Sequence, residues 1–205
     1  IKEFESNFAT YCNAKYDVMV SNGTAALHLA AMALGIQPGD KVITTPITFV
    51  ASANGFRYCG AEIVFCDIDP KNFLMDLDKG TFKAVIPVDF AGYPVDGERL
   101  RALADEYGFA IVEDACHAPG GSFIDSKGIQ HMVGDCAYAD MTVFSYHPVK
   151  HIATGEGGSI TTNRKDLFDK LSLYRTHGIT KDPELLEHSD GVWYYEMQEL
   201  GYNYR

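Results

Sequence analysis

The sequence is poor in positive charge and lacks a long apolar run. Its 205 residues include 17 Lys and Arg against 28 Asp and Glu, for a formal net charge of −11. A basic surface for nucleic acid is therefore excluded, and an anionic ligand would have to be held by local groups such as the N-terminus of a helix. No stretch is long and apolar enough to cross a bilayer, and the N-terminus does not resemble a signal peptide. We therefore predict a cytoplasmic protein without a membrane or nucleic-acid partner.

Cysteine is scarce and shows no metal-binding or disulfide pattern. The five cysteines contain no Cys-x-x-Cys pair and are odd in number, which indicates reduced thiols. A zinc site formed by Cys116, His117, His131 and Cys136 is the alternative, but their spacing fits no structural zinc pattern. We therefore predict no metal site.

Predicted strands and helices alternate along the chain, which is typical of an α/β fold with a mainly parallel sheet. Apolar spacing and turn residues predict strands at 16–20, 41–45, 62–68, 84–90, 110–114, 141–145 and 158–162. Helices are expected at 1–12, 21–35, 48–58, 96–107 and 164–177, and a short hairpin or loop at 122–131. Residues 178–200 have no regular pattern. They form either a surface loop or an aromatic segment that packs against another subunit.

Lys150 lies between the last two predicted strands, just before the flexible run Gly-Glu-Gly-Gly at 155–158. The strand before it delivers a single amine to the mouth of the sheet, and the small residues around it leave room for a ligand. Burial disfavours the charged form of a lysine, and the neutral amine can act as a nucleophile that forms a Schiff base. The alternative is a solvated loop lysine, which is the usual fate of this residue type.

Other polar groups fall at the carboxyl ends of predicted strands, where open α/β sheets bind their ligands. Residues 21–24 join a strand to a helix, and the free N–H groups at such a helix start can hold an anion, although an ordinary N-cap has the same pattern. Asp114 ends an apolar strand. It is either the partner of a pyridinium nitrogen or a helix cap or member of an ion pair.

Three further residues extend this group. His117 can hydrogen-bond a cofactor or be a satisfied core histidine, and Phe49 can stack on a planar ring or pack in the core. Ser145 suits a phosphate oxygen as well as a turn. An amine, a carboxylate for a ring nitrogen, an anion cradle and a ring stacker are together what pyridoxal 5'-phosphate requires. We therefore predict this cofactor and a catalytic Lys150.

The chain also resembles the DegT/StrS family of nucleotide-sugar aminotransferases, which have the type I pyridoxal-phosphate fold. The resemblance is carried, in the family's order, by residues 21–26, 44–52, 112–118, 144–150, 155–158 and 201–205. It implies that residues 1–205 form the three-layer α/β/α large domain, with a mainly parallel mixed sheet. Family members usually have an additional N-terminal segment and a smaller C-terminal domain, so we expect this chain to be part of a longer protein.

The resemblance also implies how the site residues would contact the ring of the cofactor. Lys150 would hold the cofactor covalently and later move a proton between cofactor and sugar carbons. Asp114 would keep the ring nitrogen protonated. His117 would lie beside the oxygen of the ring, and Phe49 would cover one ring face.

A second implied set of residues would bind the phosphate of the cofactor. Gly23, Thr24 and Ser145 would contact it from the same chain. Asn203 would reach the phosphate of the neighbouring subunit, so the resemblance implies a homodimer with shared active sites.

Within the family, residues 140–150, 175–183 and 193–205 most resemble members that act in pseudaminic acid synthesis. They imply transfer of an amino group from an amino acid, L-glutamate, to C4 of a UDP-linked 4-keto-6-deoxy-N-acetylhexosamine. The product would be UDP-4-amino-4,6-dideoxy-N-acetyl-β-L-altrosamine. One alternative is another 4-keto nucleotide sugar, of the perosamine or 4-amino-arabinose type. Another is a non-catalytic regulator that binds the cofactor or a sugar nucleotide.

Overall fold

A computed structural model describes residues 1–67, 82–188 and 191–205. Its helices are α1 (Lys2–Cys12), α2 (Gly23–Ala33), α3 (Ala51–Arg57), α4 (Gly97–Tyr107) and α5 (Lys165–Tyr174). Its strands are β1 (Tyr16–Val20), β2 (Lys41–Thr44), β3 (Glu62–Phe65), β4 (Ala84–Ile86), β5 (Ala110–Asp114), β6 (Ser122–Ile124), β7 (Gln130–Met132), β8 (Met141–Ser145), β9 (Gly158–Thr162), β10 (Ile179–Thr180) and β11 (Glu196–Met197). Within the described ranges, no helix has both the length and the apolar character needed to span a membrane.

Among the residues that the structure describes, seven strands form one mixed sheet in the order β1-β9-β8-β5-β4-β2-β3. Strand β9 runs antiparallel to both neighbours, whereas the pairs from β8 to β3 are parallel. Apolar side chains of α2, α3 and α5 pack on one face of the sheet. Helices α1 and α4 pack on the other face. The predicted three-layer fold with a mainly parallel sheet is therefore confirmed.

Three predicted elements near the carboxyl edge are shorter than the sequence indicated. Helix α3 begins at Ala51 rather than at 48, because a turn after Pro46 comes first, with the Thr45 hydroxyl accepting the N–H of Ile47 at 3.2 Å. Strand β4 ends at Ile86 rather than at 90. The chain then turns through a short 3₁₀ segment in which Ala91 is left-handed, with φ 55°. Strand β3 ends at Phe65, and residue 68 of its prediction lies outside the described residues.

The C-terminal segment is paired with the end of α5. That helix ends at Tyr174 rather than at 177, and His177 follows in a left-handed conformation with φ 60°. The Tyr174 carbonyl accepts the N–H of Tyr202, and the Arg175 carbonyl accepts the N–H of Tyr204. These bonds satisfy carbonyls that a helix end leaves open, and they fix the backbone on both sides of residue 203.

Residues 122–131 form the hairpin β6–β7, one of the two forms predicted for them. His131, at its base, lies 2.7 Å from the Asp135 carboxylate and 3.4 Å from that of Asp125. Burial opposes the charge on this imidazole, but the two carboxylates outweigh it and raise the pKa of His131. Within the part of the chain that the structure describes, no group of three or more His, Cys, Asp or Glu side chains could hold a metal ion.

Residues 178–188 and 191–200 form little regular structure beyond the two-residue pairing of β10 with β11. Several large apolar side chains in this segment are exposed, namely Leu185, Val192, Trp193, Tyr195, Met197 and Leu200. The prediction that this segment packs against another subunit stays a prediction.

Candidate functional site

Seven of the eight predicted site residues line one cavity at the carboxyl edge of the parallel strands. The cavity has a volume of about 240 Å³. The seven are Gly23, Thr24, Phe49, Asp114, His117, Ser145 and Lys150. The eighth, Asn203, is exposed and does not line this cavity. The structure therefore brings together residues from four separate stretches of sequence.

The anion cradle is the first turn of α2. Asn22 is the N-cap, and its side chain accepts the N–H of Ala25 at 2.8 Å. The N–H groups of Gly23 and Thr24 have no carbonyl partner in the helix, because they precede its first complete turn. Ser145 lies directly beside them, since a Cβ on Gly23 would be 3.0 Å from the Ser145 Cβ. Glycine at position 23 therefore allows the first turn of α2 to lie this close to the Ser145 side chain.

Lys150 lies in the connection between β8 and β9. Its backbone N–H donates to the His147 carbonyl at 2.8 Å, and the Tyr146 N–H donates to the Gly157 carbonyl at 2.8 Å. Tyr146 itself is fully buried, so it anchors this connection to the body of the domain. The Lys150 side chain is half-buried and lines the cavity.

Asp114 is a buried carboxylate at the end of β5. Its Oδ2 accepts the Ser52 hydroxyl at 2.6 Å, and its Oδ1 accepts the Cys116 backbone N–H at 3.2 Å. These donors are a hydroxyl and an amide rather than a cation. The arrangement leaves a negative charge in the cavity wall, available to a cationic group of a ligand.

His117 is held by the loop that follows β4. Its Nδ1 accepts the N–H of Ala91 at 3.4 Å. Burial lowers the pKa of His117, and the positive charge of Lys150 lowers it further. The imidazole is therefore neutral. Because its Nδ1 accepts a hydrogen bond, the single ring proton lies on Nε2, which makes Nε2 a donor. Phe49 lies on another wall of the cavity and is 70% exposed. This exposure excludes the core-packing alternative for Phe49.

Several cavity residues were missed by the sequence interpretation, namely Thr48, Cys116, His147 and Glu156. Burial raises the pKa of Cys116 well above its usual range, and the neighbouring Asp114 adds to this effect, so the thiol stays protonated. His147 Nε2 lies 3.8 Å from Glu156 Oε1 at the cavity mouth. Cys116 and His147 are within two residues of predicted site residues in the sequence. This proximity is the one feature from which their place in the cavity could have been predicted.

An open groove adjoins the cavity. It has a volume of about 780 Å³ and shares Asn22, Thr24, Phe49, His147 and Glu156 with the cavity. Its remaining lining is Ala25, His28, Tyr58, Tyr202 and Tyr204. Two tyrosines on either side of Asn203 therefore line a surface that runs into the anion cradle.

The sheet order, the cavity and its residues agree with the family resemblance of the sequence. The profile of the DegT/DnrJ/EryC1/StrS aminotransferase family matches residues 1–205. The chain belongs to this family. The family assignment predicted from the sequence is thus confirmed.

Curated relatives in this family differ in the sugar that they name. The chain is 40% identical to a GDP-perosamine synthase of Caulobacter vibrioides, over 100% of this chain and 52% of the relative. It is 38% identical to a UDP-4-amino-4,6-dideoxy-N-acetyl-β-L-altrosamine transaminase of Campylobacter jejuni, again over 100% of this chain and 52% of the relative. The chain therefore spans about half the length of the curated relatives that it matches.

A solved family structure has the same fold. PseC of Helicobacter pylori, described as an aminotransferase involved in the biosynthesis of pseudoaminic acid, superposes with a TM-score of 0.85 at 29% identity. The superposition covers 100% of this chain and 53% of that structure.

Aminotransferases of this family depend on pyridoxal phosphate, in agreement with the predicted cofactor. The residues of the cavity fit such a group. The first turn of α2 and the Ser145 hydroxyl provide donors for a phosphate at one wall of the cavity, and glycine at position 23 lets the two lie close together. Asp114 provides a carboxylate for a ring nitrogen, and Lys150 provides an amine for an aldehyde.

Behind the site, on the opposite face of the sheet, lie two buried carboxyl groups, Asp89 and Glu113. Alternation along β5 turns Glu113 away from the face that carries Asp114. Burial raises the pKa of Glu113 to about 7, against the opposing hydrogen bond from Thr142. Burial also raises the pKa of Asp89, and the charge of Glu113 adds to this shift. Burial therefore favours the protonated form of both carboxyl groups.

From the raised pKa of Glu113 we predict that the free energy of unfolding falls as the pH rises. Below about pH 4.5, Glu113 is protonated in the folded and the unfolded chain alike. Between there and about pH 7 only the folded chain keeps the proton, so folding becomes less favourable by on the order of 3 kcal/mol. Above pH 7 the loss stays constant. Glu113→Gln should therefore unfold at a higher temperature than the unmodified protein at pH 8, with a smaller difference at pH 5.

Thermal unfolding of both proteins between pH 5 and pH 8 measures this difference. Glu106→Gln, which changes an exposed carboxylate on α4, is the matched control and should show no pH-dependent gain. A difference between Glu113→Gln and the unmodified protein that is the same at every pH would contradict the prediction.

Proposed function

We propose that the full-length protein is a pyridoxal-phosphate-dependent aminotransferase that acts on a nucleotide sugar, with residues 1–205 as its large domain. Its substrate would be a UDP-linked 4-keto-6-deoxy-N-acetylhexosamine, aminated at C4 with L-glutamate as donor, to give UDP-4-amino-4,6-dideoxy-N-acetyl-β-L-altrosamine. One observation carries the proposed activity. A single cavity is lined by the Lys150 amine, the Asp114 carboxylate and the N-terminal turn of α2.

Each residue has a task that its position supports. When bound, the cofactor supplies an electron-withdrawing ring that stabilises negative charge on the reacting carbon. Lys150 would hold the cofactor covalently through Nζ, and as a free amine it would accept and return a proton at the substrate carbon. Asp114 would hold a proton on the ring nitrogen, and His117 Nε2 would donate to the ring oxygen. Phe49 would cover one ring face and exclude water from it.

The phosphate of the cofactor would bind at the start of α2. The N–H groups of Gly23 and Thr24 and the Ser145 hydroxyl donate to it, and the helix dipole favours its negative charge. This local binding is required because the net charge of −11 gives the protein no general attraction for anions.

The choice of sugar is supported by segments 140–150, 175–183 and 193–205 and by the Campylobacter jejuni relative. The Caulobacter vibrioides relative, at 40% identity, favours a second candidate, a GDP-linked 4-keto sugar of the perosamine type. Sequence identities of 40% and 38% are too similar to distinguish the two sugars. A direct comparison of the substrates is therefore needed.

The test starts with the purified full-length protein and pyridoxal phosphate. We expect a visible absorbance band that borohydride reduction fixes to the chain, and a shift of that band when L-glutamate is added. A panel of UDP-, GDP- and dTDP-linked 4-keto sugars, followed by mass spectrometry of the products, then identifies the acceptor. Protein that stays colourless and is unchanged by borohydride would favour a non-catalytic regulator.

We also propose that the active site is completed by a second copy of the chain. Asn203 is exposed, and its backbone is fixed by a bridge to Thr176 and by the bonds on either side of it. The groove beside the anion cradle is lined by aromatic side chains, among them Tyr58. In the proposed homodimer this groove receives the segment around Asn203 of the partner subunit, whose amide then reaches the phosphate.

Mixed dimers test this arrangement. Lys150→Ala and Asn203→Ala, each alone, should be nearly inactive. After unfolding and refolding together, half of the dimers pair one chain of each kind, and one of their two sites has both residues intact. We therefore expect about a quarter of the unmodified activity. A mixture that is no more active than the two variants assayed separately would exclude a shared site.

A further inference from the structure

Two hydroxyl groups link the cavity wall to the buried carboxylate of Asp114. The Thr48 Oγ1 lies 2.7 Å from the Ser52 Oγ, and the Ser52 Oγ lies 2.6 Å from the Asp114 Oδ2. Ser52 is fully buried and Asp114 is 5% exposed, whereas Thr48 is half-buried and lines the cavity. The chain of contacts therefore begins at the ligand cavity and ends at the carboxylate.

The direction of these hydrogen bonds follows from the number of protons available. An ionised carboxylate only accepts, so the single proton of Ser52 is donated to Asp114. The Ser52 oxygen then has only lone pairs left for Thr48, and the Thr48 hydroxyl must be the donor of the first bond. The other carboxylate oxygen of Asp114 accepts the backbone N–H of Cys116. Both oxygens are thus held by donors from the protein.

We propose that Ser52 and Thr48 are positioning residues that fix the orientation of the Asp114 carboxylate toward the ring nitrogen of the cofactor. This inference rests on the function proposed above for Asp114. A carboxylate held by one strong hydrogen bond at 2.6 Å cannot rotate without breaking it, so the pose that meets the ring nitrogen exists before the ligand arrives.

The same two residues join the parts of the site that contact the ring from different sides. Thr48 directly precedes Phe49 in the turn before α3, and Ser52 lies in the first turn of that helix. The residue that covers the ring and the residue that meets the ring nitrogen therefore belong to one hydrogen-bonded unit. Movement of the turn at Thr48 would change the orientation of the Asp114 carboxylate through these hydrogen bonds, although the two residues are far apart in sequence.

The test uses the full-length protein and compares Ser52→Ala, Thr48→Val and Thr48→Ser. Loss of a hydrogen bond to a charged group should weaken the affinity for pyridoxal phosphate and lower kcat, each by about 10-fold or more in Ser52→Ala. The pH midpoint of the bound-cofactor absorbance should also shift. Thr48→Val, which breaks only the outer bond, should show a smaller change of about 3-fold, and Thr48→Ser should restore the unmodified values.

Thr44→Val is the matched control. The Thr44 hydroxyl is equally buried and donates to the Ile86 carbonyl at 3.0 Å, without contact to Asp114. Its loss should lower the unfolding temperature but leave the cofactor affinity and the absorbance midpoint unchanged. Should Ser52→Ala fail to fold, the pair Thr48→Val and Thr48→Ser still decides, because Thr48 is only half-buried.

Cofactor affinity, kcat and absorbance midpoint that are unchanged in both Ser52→Ala and Thr48→Val would overturn the inference. Failure of the unmodified protein to bind pyridoxal phosphate would instead refute the proposed function. The two failures are therefore distinguishable in the same set of titrations.

Discussion

Replacing Lys150 with alanine is expected to lower turnover at least about 1,000-fold, because in the proposed mechanism this one side chain both holds the cofactor covalently and moves the proton. The fold should be preserved, since the side chain is half-buried in a connection held by backbone hydrogen bonds. Steady-state kinetics and mass spectrometry after borohydride reduction measure the two losses. The cofactor should no longer be fixed to the chain, although the anion cradle should still bind it reversibly.

Lys127→Ala is the matched control for this prediction, since Lys127 is an exposed lysine in the turn of the β6–β7 hairpin. It should retain full turnover and full attachment of the cofactor. Addition of a small primary amine to Lys150→Ala should recover part of the lost activity, because the amine can enter the space left by the side chain. Turnover in Lys150→Ala close to that of the unmodified protein would exclude the proposed role.

Replacing Asp114 with asparagine is expected to lower kcat by about 100- to 1,000-fold. Asparagine has nearly the same shape, and its carbonyl oxygen can still accept the Ser52 hydroxyl. It lacks the negative charge that holds a proton on the ring nitrogen, so the ring would withdraw electrons less strongly. Kinetics of the amino transfer from L-glutamate measure the loss, and thermal unfolding verifies that the fold is retained.

A cofactor analogue with carbon in place of the ring nitrogen makes this test specific. With the analogue, Asp114→Asn and the unmodified protein should react at similar rates, because no ring nitrogen remains for the carboxylate to contact. Glu113→Gln is the neighbouring control, since it removes a carboxylate from the same strand but on the opposite face, and it should keep kcat. If the loss in Asp114→Asn persists with the analogue, Asp114 acts in some other way.

The strand-end positions of Asp114 and Ser145 could be predicted because they depend on local pattern, and they also place Lys150 in the connection after β8. A run of apolar residues that ends in a polar one indicates both the strand and the place where it stops. A helix N-cap at Ser21 or Asn22 was expected because small polar residues favour that position, and the structure places it at Asn22. The place where α3 begins was mispredicted, because the turn after Pro46 depends on side-chain hydrogen bonds that apolar spacing does not reveal.

Contacts between distant segments could not be predicted in this way. Ser52 and Asp114 are 62 positions apart, and nothing in either segment indicates the other as its partner. The tyrosines beside Asn203 were visible in the sequence as an aromatic run, but not as the lining of a groove next to the anion cradle. The buried pair of Asp89 and Glu113 was equally hidden, because it depends on how deeply the end of β5 and the turn after β4 are buried.

The sequence by itself determined the alternation of strands and helices, the family and the residue types that a pyridoxal-phosphate site requires, since each is encoded in short stretches of chain. Only the tertiary structure decided which of these residues meet. The sheet order places β5 between β4 and β8, which brings Asp114, the His117 loop and Lys150 to one edge. Strand order depends on packing between segments far apart in the chain, and local patterns carry little information about it.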